Sequence, residues 1–209
     1  MTAEILQIHP THPQPRLIRR AASFLHEGAV IAYPTDSSYA FGCLVGDKAA
    51  QDRIRAIRQL DERHHFTLVC RDLSELGIYA KVENSAYRMI KALTPGPYTF
   101  LLKATREVPR RLQNPKRKIV GLRIPDHPVT QALLAELGEP LMSLTAMLPG
   151  RSEALGDAEA LERDLRHGLD LIIDSGSCGI EPTTVVDLSG TDPEVVRLGK
   201  GPLSDWIAG

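Results

Sequence analysis

The chain is short of the features that staple, span or mark a nucleotide loop. Its three cysteines, Cys43, Cys70 and Cys178, are far apart, odd in number and form no CxxC pair. That excludes a disulfide framework and a cysteine zinc site, and leaves three buried thiols of a reducing compartment. No apolar run approaches the roughly 18 residues of a membrane span. The start, MTAEILQIHPTHPQPR, has no charged stretch leading into an apolar one, so no signal peptide is read and a soluble cytoplasmic protein is expected. Net charge is −1. A whole-molecule field for nucleic acid is therefore missing, and any such binding must come from a local patch. The chain also lacks GxxxxGK[ST], a GxGxxG after a strand, HExxH and GxSxG. ATP, if bound, is not held by a Walker loop, and no serine nucleophile elbow is present.

What is there is ordinary in bulk: 43% hydrophobic and 24% charged over 209 residues. This suits one well-packed domain, or at most two small ones. No repeat, low-complexity tract or linker divides the chain. Leu17, Ile18, Ala21, Ala22 and Leu25 have helical spacing and stop at Gly28. Asp47 is placed to cap a helix running to Leu60, with Ile54 and Ile57 inward. Further helices are expected around Ala86–Leu93, Ala132–Leu137 and Leu161–Leu165. Strands are expected at 30–33, 66–70, 98–103, 119–123, 141–145, 169–174, 184–188 and 195–198. The last strands lack intervening helices, so the layout is α/β with a mixed sheet, and Pro149 to Asp157 reads as a loop.

The most informative segment is AVIAYPTDSSYAFGCLVG, Ala29 to Gly46. An apolar run ends at Pro34 and opens into Thr35, Asp36, Ser37 and Ser38, which places polar groups at the mouth of a cleft. VGLRIPDHP, PLMSLTAMLPG and GIEPTTVVDLSG have the same character, so four strand ends can converge on one small-molecule pocket. The hydroxyls of Thr35, Ser37, Ser38, Ser143, Thr145, Thr183 and Thr184 suit an amino acid or a phosphate. Equally, they can finish strands and cap helices.

Basic residues form two further sets. Lys103, Arg106, Arg110, Arg111, Lys116, Arg117, Lys118 and Arg123 face a single acid, Glu107. Such a run reads as a polyphosphate or nucleic-acid surface, or as a solvated hairpin. Arg123 stands apart because it ends an apolar run, so its fork is expected in the cleft, matched to a carboxylate or phosphate. Arg58, Arg63, His64 and His65 gather after the second helix as an anion site or a plain surface loop. Adjacent histidines point apart, so a shared metal is not expected.

These segments, in this order, resemble the YrdC-like family of threonylcarbamoyl-AMP synthases, and most its YciO branch. YPTDSSYAFGC is similar to the family's YPTE-type opening, TPGPYTFLLKA to its PGPxT strand, and VGLRIPDHP to its VRxPxHP segment. SLTAMLPG stands where the family has SxSANxSG. GIEPTTVVDL and VVRLGKG are similar to its TVVD strand and closing RxG. The resemblance covers nearly the whole chain. It implies a single-domain YrdC-like fold, a twisted mixed sheet flanked by helices, with a concave basic cleft. It implies condensation of L-threonine, bicarbonate and ATP, with Mg²⁺ on the triphosphate, into an acyl-adenylate for tRNA modification. By matching position, Thr35, Arg123 and Thr183 would face threonine, and Arg58, Ser143, Thr145 and Arg197 the nucleotide.

Two positions depart from the family pattern. Its Lys-x-Arg becomes Arg58-Gln59-Leu60, and its Ser-x-Asn becomes Thr145-Ala146-Met147. Each lost polar contact costs about 1.5 to 3 kcal/mol if it acts on the transition state. Together that is roughly two to four orders of magnitude in rate. Weak or altered synthase activity is therefore expected. The rival readings are a non-catalytic tRNA- or double-stranded-RNA-binding protein using Arg106, Arg110, Arg111, Lys116, Arg117 and Lys118, and another small-molecule enzyme on the same fold.

Overall fold

Each helix starts and stops where its side chains allow. The computed structural model describes residues 2–61, 64–114 and 116–203, and of Arg111 the backbone alone. Helix α1 (Pro15–His26) opens on a proline, buries Ile18, Ala21, Ala22 and Leu25, and is followed by Gly28 at φ +85°. In α2 (Lys48–Arg58) the Asp47 carboxylate accepts from the Ala50 amide at 2.9 Å, and Gln59 closes the helix in left-handed backbone. Helix α3 (Leu73–Tyr79) is capped by Asp72. It has seven residues, too few for a periodic stripe, and was not expected from the pattern. Helices α4 (Asn84–Leu93), α5 (Pro128–Leu137) and α6 (Ala158–Leu165) complete the set. Gly138 at φ +68° ends α5, and Asp157 caps α6.

The strands are β1 (Glu4–Gln7), β2 (Ile31–Tyr33), β3 (Ala40–Leu44), β4 (Thr67–Val69), β5 (Ala80–Lys81), β6 (Tyr98–Ala104), β7 (Ile119–Arg123), β8 (Leu141–Thr145), β9 (Leu171–Asp174), β10 (Thr184–Asp187) and β11 (Glu194–Arg197). They form one mixed sheet in the order β1-β9-β2-β3-β8-β4-β7-β6-β10-β11, with β5 paired to β6. The pairs β1–β9, β9–β2, β4–β7 and β6–β10 are parallel. The strand β3 was not among the strands expected from the sequence. Both its faces are buried, so it shows no alternation.

Alternation of side chains creates two cores. On one face, α1 and α5 pack over Ile31, Tyr33, Leu141, Leu171 and Ile173. On the other, Ile54, Ile90 and Leu161 from α2, α4 and α6 join Phe41, Leu68, Phe100, Leu122 and Ile172. The α1–α5 layer ends over β8 and β4. Beyond it the same face carries Ser143, Thr67, Gly121 and Leu101, registered neighbours across β8, β4, β7 and β6. This uncovered, hydroxyl-bearing half of the face becomes the floor of a cleft.

Candidate active site

The cleft has a volume of about 210 Å³. Three of the four expected strand ends contribute Arg123, Ser143, Thr145 and Thr183, and the turn after β2 contributes Ser37 and Ser38. Thr67 and Thr99 also line the cleft and were missed in sequence. The available signal was the period-two pairing Thr67-x-Val69 and Thr99-x-Leu101, which puts each hydroxyl on one face with an apolar partner.

Arg123 dominates one wall and is only 8% exposed. Its Nη2 donates to Ser37 Oγ at 3.1 Å, to Thr35 Oγ1 at 3.4 Å and to the Asp36 carboxylate. The second Asp36 oxygen accepts from the Asp126 amide at 3.0 Å. The Arg123 Nε is buried without a hydrogen-bond partner among the described residues. Thr35 itself is committed to the turn. Its hydroxyl donates to the Ser38 carbonyl at 2.6 Å and accepts from the Ser37 and Ser38 amides. Thr35 therefore shapes the wall from behind, and is not among the residues lining the cleft.

Ser143 is set by a buried neighbour. Tyr33 donates to Ser143 Oγ at 2.7 Å, and burial pushes the Tyr33 phenol up to about 12, so it stays a donor. The Ser143 O–H is then left to donate into the cleft. Gly42 makes this possible, because a Cβ there would stand 2.8 Å from the Tyr33 ring. On the far wall Thr183 Oγ1 meets Thr99 Oγ1 at 2.9 Å, and Arg197 donates through Nε and Nη2 to the Thr183 carbonyl. The segment after β11 straps across this wall: Thr184 donates to the Gly201 carbonyl at 2.7 Å, and Lys200 to the Asp36 carbonyl at 2.5 Å.

The remaining predicted residues lie elsewhere. Arg58 does not line the cleft. Its Nη1 donates to the carbonyls of Thr145 and Met147, at 3.0 and 3.2 Å, and so fixes the end of β8. Leu60 packs against the apolar core. Arg63 lies outside the described residues. His64 and His65, by contrast, line the cleft opposite Arg123.

The basic segment between β6 and β7 does not enter the cleft. None of Arg106, Arg110, Lys116, Arg117 or Lys118 lines it, and the Arg111 side chain is outside the described residues. Lys103 pairs with Ile119 at the loop end of the β6–β7 ladder, whereas Arg123 is at the opposite end of β7. Arg117 is a structural cation there: it pairs with the Asp187 carboxylate at 2.7 Å and donates to Ser189 Oγ at 2.9 Å. Burial works against the Asp187 charge, but hydrogen bonds from Ser189 and Arg117 hold its carboxyl below the ordinary range. That stabilisation is present above the unfolded carboxyl's usual titration and fades as pH falls through the lower folded value. Arg117→Ala is therefore expected to reduce stability at pH 7 and to change it little in strong acid. Urea unfolding at the two pH values measures the difference.

A family model described as telomere recombination, Sua5/YciO/YrdC, matches residues 23–199. The chain belongs to the Sua5/YciO/YrdC family. It is 50% identical over 205 residues to the uncharacterized protein YciO of Escherichia coli K12, covering 98% of this chain and 100% of that one. It is 32% identical over 180 residues to a threonylcarbamoyl-AMP synthase of Chromobacterium violaceum, covering 86% and 92%. Among solved structures, E. coli YciO superposes with a TM-score of 0.92 at 52% identity, over 96% of this chain and 97% of that one. P. abyssi Sua5 complexed with L-threonine gives 0.86 at 26% identity, over 94% of this chain and 58% of that one. The mixed sheet and its flanking helices are thus the family's fold.

Proposed function

We propose that the cleft condenses L-threonine, bicarbonate and ATP into threonylcarbamoyl-AMP, releasing pyrophosphate and water. The product would feed a tRNA modification. The observation that carries this reading is Arg123, a guanidinium buried in a hydroxyl-lined cleft with its Nε donor unused. The kinship with a named synthase, and with a Sua5 seen with L-threonine, supports it. A carbamate attacking an α-phosphate needs positioning and charge stabilisation, with no protein nucleophile. The threonine carboxylate is assigned to Arg123 and Thr183, with Thr35 holding the turn behind them. The nucleotide is assigned to Ser143, Thr145 and Arg197, with Arg58 bracing the β8 end. The cleft lining has no carboxylate, and no trio of His, Cys, Asp or Glu among the described residues could hold a metal. Mg²⁺ is therefore read as part of the ATP substrate. The replaced Asn at Met147 and Arg at Leu60 lower the expected rate. Pyrophosphate release dependent on both threonine and bicarbonate is the expected result. Isothermal titration giving no heat with either threonine or ATP would overturn the reading.

The cleft floor supplies a direct check. A Cβ at Gly121 would sit 3.3 Å from Thr67 Oγ1 and 3.6 Å from the Leu101 and Thr99 side chains. In Gly121→Val the two added methyls would fill the floor, in a strand that favours valine. ATP binding should weaken at least about tenfold, or 1.4 kcal/mol, and because the Cβ already touches three side chains the overpacking should also cost about 1 to 3 kcal/mol of stability. Calorimetric titration and a thermal melt on the same sample separate the two.

One observation favours RNA contact in addition. Arg106, Arg110, Lys116 and Lys118 are exposed outside the cleft and make no salt bridge among the described residues. If they meet phosphates, the logarithm of tRNA affinity falls with log salt by about 0.9 per phosphate contact. A flat salt dependence would remove this reading. No helix among the described residues is long and apolar enough to cross a membrane.

A further inference from the structure

A guanidinium offers a carboxylate two forks, Nε with Nη2 and Nη1 with Nη2, and both use Nη2. Among the described residues every side-chain bond of Arg123 leaves from that nitrogen, to Asp36, Ser37 and Thr35. A ligand carboxylate that takes either fork therefore shares Nη2 with the Asp36 carboxylate. Asp36 is held in place from three sides. Its second carboxylate oxygen accepts from the Asp126 amide at 3.0 Å, its carbonyl accepts from Lys200 Nζ at 2.5 Å, and the Thr35 hydroxyl closes the turn around it. Arg123 and Asp36 are each 9% exposed in their side chains, so water screens the pair little. Other ionisable groups face this wall from two elements. Asp126 and His127 follow β7, Lys200 lies on the strap after β11, and Arg197 ends β11 but is turned onto the Thr183 carbonyl. Burial holds the His127 imidazole below the ordinary histidine range, so it adds little positive charge at pH 8.

We infer that Asp36 is a specificity-determining residue, which makes the Arg123 wall select a zwitterionic α-amino acid over a carboxylate that carries no cation of its own. The inference rests on the reading of Arg123 as the amino-acid subsite and adds the class of acid that subsite accepts. Two carboxylates on one guanidinium nitrogen repel each other across a poorly screened gap. An α-ammonium, adjacent to the ligand carboxylate, supplies the missing positive charge, and an α-hydroxyl does not. Selectivity then comes from an unfavourable contact built against the wrong ligand as well as a favourable one for the right ligand. Asp36 does not itself line the cleft, so it acts through Arg123.

The probes are L-threonine and 2,3-dihydroxybutanoate of the same configuration, which differ only in the α-substituent. Their affinities for the full chain are measured by calorimetric titration at pH 8, in the wild type, Asp36→Asn and Asp36→Glu. The wild type is expected to prefer threonine by at least about tenfold. Asp36→Asn removes the charge and keeps an acceptor. It should bring the two affinities to within about threefold, chiefly by strengthening the hydroxy acid. Asp36→Glu keeps the charge and should keep the preference. A merely structural role would weaken both acids alike and leave their ratio unmoved. Lys200 and Arg197 are the same in all three proteins, so a change in the ratio belongs to Asp36. Equal affinities in the wild type overturn the inference whether or not the variants fold, and so does a preference that survives in folded Asp36→Asn. Threonine-dependent pyrophosphate release by the wild type, assayed in parallel, separates the two readings. Release without a preference for the amino acid removes the role of Asp36 and leaves the synthase. A preference that Asp36→Asn abolishes, without release, leaves the amino-acid wall and removes the synthase. No binding of either acid to the wild type removes both.

Discussion

Arg123→Ala is expected to abolish threonine-dependent pyrophosphate release. The guanidinium is the one cation both buried and lining the cleft, and its fork geometry suits a carboxylate. Losing a charge-assisted hydrogen bond costs about 1.5 to 3 kcal/mol, roughly ten- to 150-fold in kcat/KM for each bond that acts in the transition state. Two such bonds would take the rate below detection in an already slow enzyme. The same change strands Asp36, which is 9% exposed in its side chain and keeps only the Asp126 amide. A buried charge that loses its partner costs about 3 to 5 kcal/mol, so lost stability must be told apart from lost catalysis. Arg123→Lys does so. It keeps a charge for Asp36 but not the planar fork, so it should fold and still show a raised KM for threonine. A folded Arg123→Ala protein with the wild-type threonine-dependent rate would exclude Arg123 from the site.

Phe100→Ala should have the largest effect on stability. Phe100 is fully buried in β6, with β7 and β10 on either side. Its ring lies 6.3 Å from that of Tyr98, nearly parallel. It points away from the cleft, into the core shared with Leu68 and Leu122, while Thr99 and Leu101 point into the cleft. Truncating a buried phenylalanine costs about 3 to 5 kcal/mol. At about 2 to 4 °C per kcal/mol for a chain of this size, the melting temperature should fall by roughly 6 to 20 °C. Ligand affinity measured well below the melt should change far less, because the cleft face of β6 keeps its side chains. Calorimetric scans with and without ATP test both halves. A shift of only a degree or two would show that the cavity collapses at little cost.

The helices most plainly written in the sequence are those with both a stripe and a stop. α1 has four buried residues at helical spacing and Gly28, and α2 has the Asp47 cap. What was not legible were the short or doubly buried pieces: β1, β3, β5 and α3. β3 is buried on both faces and lacks the alternation that identifies a strand, and α3 makes barely two turns. In the cleft, Arg123 and the hydroxyls at 37, 38, 143, 145 and 183 could be named because each ends an apolar run. Asp36 could not be given its role, since its partner is 87 residues away and is met only through the fold.

The sequence by itself determined the α/β class, the mixed sheet and the family, because these rest on periodicity, caps and motif order, all of them local. It also located the polar strand ends. Only the tertiary structure decided which of them face one another. Cross-strand register brings Ser143, Thr67, Gly121 and Leu101 into one row, and the limited reach of the α1–α5 layer leaves that row open. The same register carries the basic segment to the far end of β6 and β7, while the fold brings Arg58 onto the carbonyls of Thr145 and Met147 and places His64 and His65 in the cleft lining. Such choices depend on pairings between residues far apart in the chain, and no local pattern records them.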